Sequence, residues 1–268
     1  PDDTIAQHED YTYDANGHDE YKIRYMSGSG PDSTWLTSDD VVTYYVKSDC
    51  DSDGNVLTEI VYNAPGTDSI WFNSDDTVQN YTTHTYDTGG NCLNDIWYMG
   101  SGTDTIWFNS DDVISMYTTY SYSANGNIEH SVSYMGSGVD ATWFTSDDVL
   151  NSFTTYSYDS NGNVDVEIVF NDPGIDSILF TSDDVMIGYN ENSYDANGNL
   201  EQRVSSMDSG TDTLWFTSDD VLMSYSTYSY DADGNVDHMF YCSNSGVDTL
   251  WFTSDDVLVG YTYTYVEY

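Results

Sequence analysis

One register governs this chain. The string Gly-x-Asp-x-x-Trp-Phe-x-Ser-Asp-Asp returns every 36 residues, with tryptophans at Trp35, Trp71, Trp107, Trp143, Trp215 and Trp251 and Leu179 in the remaining slot. A fixed period over the whole length means one supersecondary unit copied seven times. No copy can bury a core alone, so each depends on its neighbours. The expected organisation is a single array over residues 1–268, seven units with half-repeats at both ends. Such chains bind, span or assemble more often than they catalyse.

The unit reads as strands and turns. Each copy carries a turn glycine, at Gly17, Gly54, Gly90, Gly126, Gly162, Gly198 and Gly234, in a signal of the Asp-x-Asn-Gly kind whose aspartate is present in six copies and replaced by Ser123 in the other. Glycine takes the left-handed conformation that closes a turn with a bulge, and the aspartate can accept from its own turn amides. After the turn, Val164, Val166, Ile168 and Phe170 alternate with Asp165, Glu167 and Val169, the period of two of a strand with one face buried. A second strand, such as Val221 to Tyr230, follows the acidic loop, and no stretch shows a helical period. The expectation is all-β: tandem β-hairpins in an extended or spiralling antiparallel sheet. A seven-bladed propeller and a β-solenoid accept the same period. However, 36 residues are short for a four-stranded blade, and parallel stacking would set like-charged ladders about 4.8 Å apart.

Charge excludes some partners. The chain holds 47 acidic side chains against 4 basic ones, a formal net charge of −43. Nucleic acid is ruled out on that ground, and an anionic membrane surface disfavoured. No apolar run reaches transmembrane length, so membrane insertion is not expected, and no signal peptide is visible at Pro1. Cys50, Cys92 and Cys242 occupy different places in the repeat, so a repeating disulfide framework is excluded; a single Cys50–Cys92 bridge stays open. The histidines keep no common place either, and read as structural or surface residues.

The acidic loop carries the chemistry. Three aspartates recur in every copy: Asp32/Asp39/Asp40, Asp68/Asp75/Asp76, Asp104/Asp111/Asp112, Asp140/Asp147/Asp148, Asp176/Asp183/Asp184, Asp212/Asp219/Asp220 and Asp248/Asp255/Asp256. Two carboxylates about 5 Å apart repel by roughly 3 kcal/mol at an effective dielectric of 20, so three converging ones must splay into water or share a cation. Oxygen-only ligands on short side chains suit Ca²⁺, whereas Zn²⁺ would need His or Cys at repeating positions. The expected cofactor is Ca²⁺, about one ion per repeat, with these aspartates as ligands. At a Kd near 10⁻⁴ M and millimolar calcium, each loop gains roughly 1.4 kcal/mol and seven loops about 10 kcal/mol. Millimolar calcium points outside the cell.

The turn pattern Tyr-x-Tyr-Asp-x-x-Gly-x-(Leu/Val) stands here as Tyr11–Gly17, Tyr156–Val164 and Tyr228–Val236. It resembles the YD repeat of Rhs-type and teneurin-type extracellular proteins. The resemblance implies side-by-side hairpins in a spiralling sheet on a secreted or cell-surface protein. Two departures stand out: Asn follows the glycine where the family often has Arg, and the acidic Trp loop is added.

Two tyrosine-rich columns accompany the loops, Tyr45/Tyr81/Tyr117/Phe153/Tyr189/Tyr225/Tyr261 and Tyr86/Tyr122/Tyr158/Tyr194/Tyr230. They are expected to pack across strands, with the Trp column pinning the loop to the sheet. The resulting function is a calcium-stabilised extracellular structural protein: a stalk, surface coat or fibre subunit. Self-association through terminal edge strands would polymerise it head to tail. The alternative is a cell-surface adhesin or a carbohydrate-binding module. No catalytic set stands out from the repeat, so an enzyme is not expected.

Overall fold

Alternation of branched and aromatic residues with short polar ones yields long antiparallel strands and no helix among the described residues. The computed structural model describes residues 8–25, 40–231, 234–245, 251–253 and 256–263. Fifteen strands occur in these residues: β1 (His8–Tyr13), β2 (Asp19–Tyr25), β3 (Val42–Cys50), β4 (Val56–Ala64), β5 (Thr77–Tyr86), β6 (Cys92–Gly100), β7 (Val113–Tyr122), β8 (Ile128–Gly136), β9 (Val149–Tyr158), β10 (Val164–Asp172), β11 (Val185–Tyr194), β12 (Leu200–Asp208), β13 (Val221–Tyr230), β14 (Val236–Cys242) and β15 (Leu258–Tyr263). Each strand's hydrogen-bonded neighbours are those before and after it in sequence, so the order is linear with β1 and β15 at its ends. The hairpin-array expectation is met, and the propeller and solenoid alternatives are not.

The chain divides into two compact units, Pro1–Tyr120 with Ser133–Val149, and Ser121–Val132 with Leu150–Tyr268. In the first, β1 to β7 pair antiparallel in succession. In the second, β9 to β15 do the same. The core of each unit is thin and aromatic: Tyr45, Tyr81 and Tyr117 are buried in the first, Phe153 and Tyr189 in the second.

The turns follow the local chemistry. Asp51 N donates to Asn55 O and Gly54 N to Asp51 O, while Asp51 Oδ1 accepts from the amides of Asp53 and Asn55. The same bonds recur at Asp87, Asp159 and Asp195. The asparagine that departs from the YD pattern has a partner here: Asn55, Asn91, Asn163, Asn199 and Asn235 each donate Nδ2 to the turn aspartate. Asp51-Ser52-Asp53-Gly54 is therefore a hairpin turn. All three cysteines are free, so Cys50 and Cys92 are not bridged. Among the described residues no helix is long and apolar enough to cross a membrane.

Candidate functional site: the acidic loops and a lone cluster on β5 and β6

The acidic loop is built on backbone that ordinary residues avoid. In the copy between β6 and β7, Gly102 has φ +66°, Thr105 +63° and Phe108 +70°. Non-glycine residues in this region cost about 1–3 kcal/mol each and persist only where the surroundings over-determine them. The same pair recurs as Ser69/Phe72, Ala141/Phe144, Ser177/Phe180 and Thr213/Phe216. A Cβ on Gly102 would stand 2.2 Å from the Asp111 carbonyl oxygen, so the loop closes onto itself at a point only glycine fits.

The three aspartates hold this backbone in three different ways. Asp104 Oδ1 accepts from Ile106 N, and its Oδ2 from Asn109 Nδ2. Asp68, Asp140, Asp176 and Asp212 likewise accept from the amide two residues on. Asp111 Oδ2 ties the ends of the loop together by accepting from Thr103 N, Thr103 Oγ1 and, at 3.3 Å, Asp104 N. Those bonds hold its carboxyl below the usual carboxylate range. Asp75, Asp147, Asp183 and Asp219 close their own loops in the same way. Asp112 Oδ2 accepts from Phe108 N at 2.7 Å, Asn109 N at 3.2 Å and Tyr81 Oη at 2.6 Å. Asp76, Asp148 and Asp220 are buried in equivalent places, so this column does not splay into solvent.

The tyrosine bond reaches back 31 residues and joins a loop to the preceding copy. It recurs as Tyr45–Asp76, Tyr81–Asp112, Tyr117–Asp148, Tyr189–Asp220 and Tyr225–Asp256, at 2.6–2.8 Å. Burial first, then the carboxylate partner, pushes the phenols of Tyr45, Tyr81 and Tyr117 well above their ordinary range. The loop aromatics seal the tether: Trp107 meets Tyr81 edge-on at 5.9 Å, and Phe108 lies at 4.9 Å. The Trp column does pin the loop to the sheet, and the first tyrosine column is a packing column. The second column is tethered too. Tyr86, Tyr158, Tyr194 and Tyr230 each donate to the backbone carbonyl 30 residues earlier.

The fifth copy shows what happens without these parts. Phe153 has no hydroxyl, and Asp184 accepts from Thr181 N and Oγ1 but is only half-buried. Leu179 replaces the tryptophan, and the His130 ring stacks on Phe180 at 3.9 Å instead.

Each of the five fully described loops therefore brings its aspartates to one short backbone segment without aiming them at a common point. Among the described residues, no loop gathers oxygens from three of them within 4.8 Å of one another. The donor set is all oxygen, as a hard cation requires. Asp76 Oδ1 and Asp112 Oδ1 are buried with no hydrogen-bond partner. In the copies with Thr145 and Thr217, the threonine hydroxyl reaches the equivalent oxygen at 3.5 and 3.2 Å; Asn73 and Asn109 have no hydroxyl there.

In the first copy Asp40 holds the place of Asp76, half-buried two residues before β3 rather than fully buried. Its expected co-ligands Asp32 and Asp39 lie outside the described residues. Asp248 and Asp255, with Trp35, lie outside the described residues as well.

A second grouping escaped the reading by columns. His84 Nδ1 lies 2.6 Å and Cys92 Sγ 3.1 Å from Asp95 Oδ1, and Tyr120 donates to Asp95 Oδ2 at 2.7 Å. The signal that finds it is departure from the repeat, since a search for recurring residues discards single occurrences.

No family model and no curated protein matches the chain. Solved structures with a similar arrangement include a Bacteroides fragilis protein of unknown function, 11% identical over 54% of this chain and 91% of that one, with a TM-score of 0.37. The Tc holotoxin pore of Photorhabdus luminescens is 10% identical over 90% of this chain, which spans only 12% of the toxin chain, at a TM-score of 0.34. A porin-like protein from Bacteroides uniformis is 10% identical over 96% of this chain and 95% of its own, also at 0.34.

Proposed function

We propose that the chain is an extracellular structural repeat protein, a stalk, surface coat or fibre subunit of YD-repeat character, whose acidic loops take calcium at about one ion per repeat. The observation that carries the structural part is the tyrosine–aspartate bond. Five times, a phenol of one copy seats on a carboxylate of the next. A repeat coupled to its neighbours by one such bond, one tyrosine–carbonyl bond and an aromatic stack resists local opening. That is the property a stalk or coat requires.

The calcium part is supported by the formal charge of −43 and by the buried oxygens of Asp76 and Asp112 that lack a donor. Binding entails rotation of the neighbouring Asp68/Asp75 or Asp104/Asp111 carboxylates toward that oxygen. The test is a thermal melt of the whole chain in millimolar calcium and in excess chelator, followed by ion counting. A higher midpoint in calcium with several ions per chain is expected. Coincident melts with no ions retained would remove calcium from the reading and leave the hydrogen-bonded scaffold to stand alone.

One observation favours an adhesin or carbohydrate-binding module as a second reading. The residue before the tryptophan slot is apolar and projects outward in four loops, with Ile70, Ile106, Ile178 and Leu214 all 60–62% exposed. A glycan array without hits would dispose of the carbohydrate form of it.

A further inference from the structure

Three side chains on one hairpin, β5–β6, form a grouping that no other copy contains. In the 36-residue register the place of His84 is held by Ser48, Tyr120, Tyr156, Asn192 and Tyr228. That of Cys92 is held by Val56, Ile128, Val164, Leu200 and Val236, and that of Asp95 by Glu59, Ser131, Glu167, Arg203 and Met239. His84 and Cys92 are each unique in their column, and Asp95 is the only aspartate in its own. The two unique residues fall in the same hairpin and touch the same carboxylate oxygen. His84 and Asp95 are cross-strand partners, on the sheet face opposite Tyr81 and Tyr98.

We propose that His84, Cys92 and Asp95 form a binding site for one divalent transition-metal ion of the zinc class. One ligand atom from each lies within 4.8 Å of the others. Sulfur, imidazole nitrogen and carboxylate oxygen together suit Zn²⁺ and its congeners; calcium takes only oxygen. Tetrahedral zinc ligands stand about 3.3–3.8 Å apart, so the His84–Asp95 and Cys92–Asp95 pairs, at 2.6 and 3.1 Å, need to open by less than about 1 Å. As the metal–sulfur bond forms, the thiol proton leaves to solvent, because the thiolate is the ligand.

The surroundings supply the rest of such a site. Tyr120 fixes the second oxygen of Asp95, the outer-sphere support that orients a carboxylate ligand. His84 Nε2 is buried and makes no hydrogen bond, yet faces Glu59 Oε2 at 3.9 Å. With Nδ1 on the metal, Nε2 carries the proton and donates it toward Glu59, the carboxylate–histidine–metal arrangement. A groove of about 570 Å³ lined by Glu59, His84, Asp95 and Trp97 opens at the cluster, leaving the fourth coordination position to water or a small ligand.

Cobalt(II) titration of the whole chain in excess calcium tests this, since calcium occupies the oxygen-only loops and does not give a sulfur signal. Wild type is expected to show a sulfur-to-cobalt charge-transfer band that saturates at one equivalent and is erased by zinc. Cys92→Val and His84→Tyr restore residues that the repeat itself uses in those columns, so the hairpin is kept. Each is expected to abolish the band and to weaken zinc, measured against a chromogenic chelator, by at least about 100-fold; Tyr120→Phe weakens it about tenfold. Absence of the sulfur band in wild type, or equal zinc affinity in wild type and Cys92→Val, would overturn the assignment.

Discussion

Replacing Tyr81 by phenylalanine removes one oxygen and leaves the stack on Tyr98, at 4.3 Å, and the contacts with Trp107 and Phe108 in place. What is lost is the 2.6 Å bond to Asp112 Oδ2, between residues that are 5% and 8% exposed. A hydrogen bond to a charged acceptor contributes about 1.5–3 kcal/mol, and water has little access here to replace the phenol. The expected cost is about 2 kcal/mol, a roughly thirtyfold rise in the local opening constant. Repeat arrays unfold in more than one step, so a global midpoint dilutes the effect. Native-state hydrogen exchange at Phe108 and Asn109, whose amides share that carboxylate, reads it directly. Phe153→Tyr supplies the converse, giving Asp184 the donor it lacks and slowing exchange at Thr181. If exchange at Phe108 and Asn109 shifts by less than about 0.5 kcal/mol, the tether between copies is not what stabilises the loop.

Three other outcomes follow from the same geometry. Gly102→Ala meets the Asp111 carbonyl at 2.2 Å and is expected to cost several kcal/mol, whereas Gly162→Ala, with no atom within 4 Å of the new Cβ, costs only the left-handed backbone, about 1–2 kcal/mol; denaturation of both variants by urea makes the comparison. The phenols of Tyr45, Tyr81 and Tyr117 ionise above their unfolded value, so their stabilisation is intact below about pH 10 and is lost as pH rises toward the folded values. Tyrosinate absorbance and circular dichroism should then change together, and smooth ionisation without unfolding would contradict the burial. The turn carboxyls of Asp51, Asp87, Asp159 and Asp195 are held below their ordinary value by hydrogen bonds from the turn, led by the asparagine after the glycine. Their contribution is present above about pH 4 and disappears as pH falls through the folded values, so Asn55→Ala should raise the pH of acid unfolding.

The 36-residue period, the strand alternation and the Asp-x-Asn-Gly turns are written in the chain itself, because each depends on neighbours a few residues apart. From these alone the hairpin array is legible, down to Asp51 accepting from its own turn amides. What the period could not disclose is the direction in which a repeated side chain faces. Asp104, Asp111 and Asp112 are equally invariant as columns, yet one braces a turn, one closes the loop and one is buried under a phenol 31 residues away. That division is decided by backbone in the left-handed region at Thr105 and Phe108, which turns successive amides toward different carboxylates. It arises only once the neighbouring copy supplies Tyr81. The cluster of His84, Cys92 and Asp95 lay outside a reading built on recurrence for the opposite reason: its members occur once, and strand pairing alone brings them together.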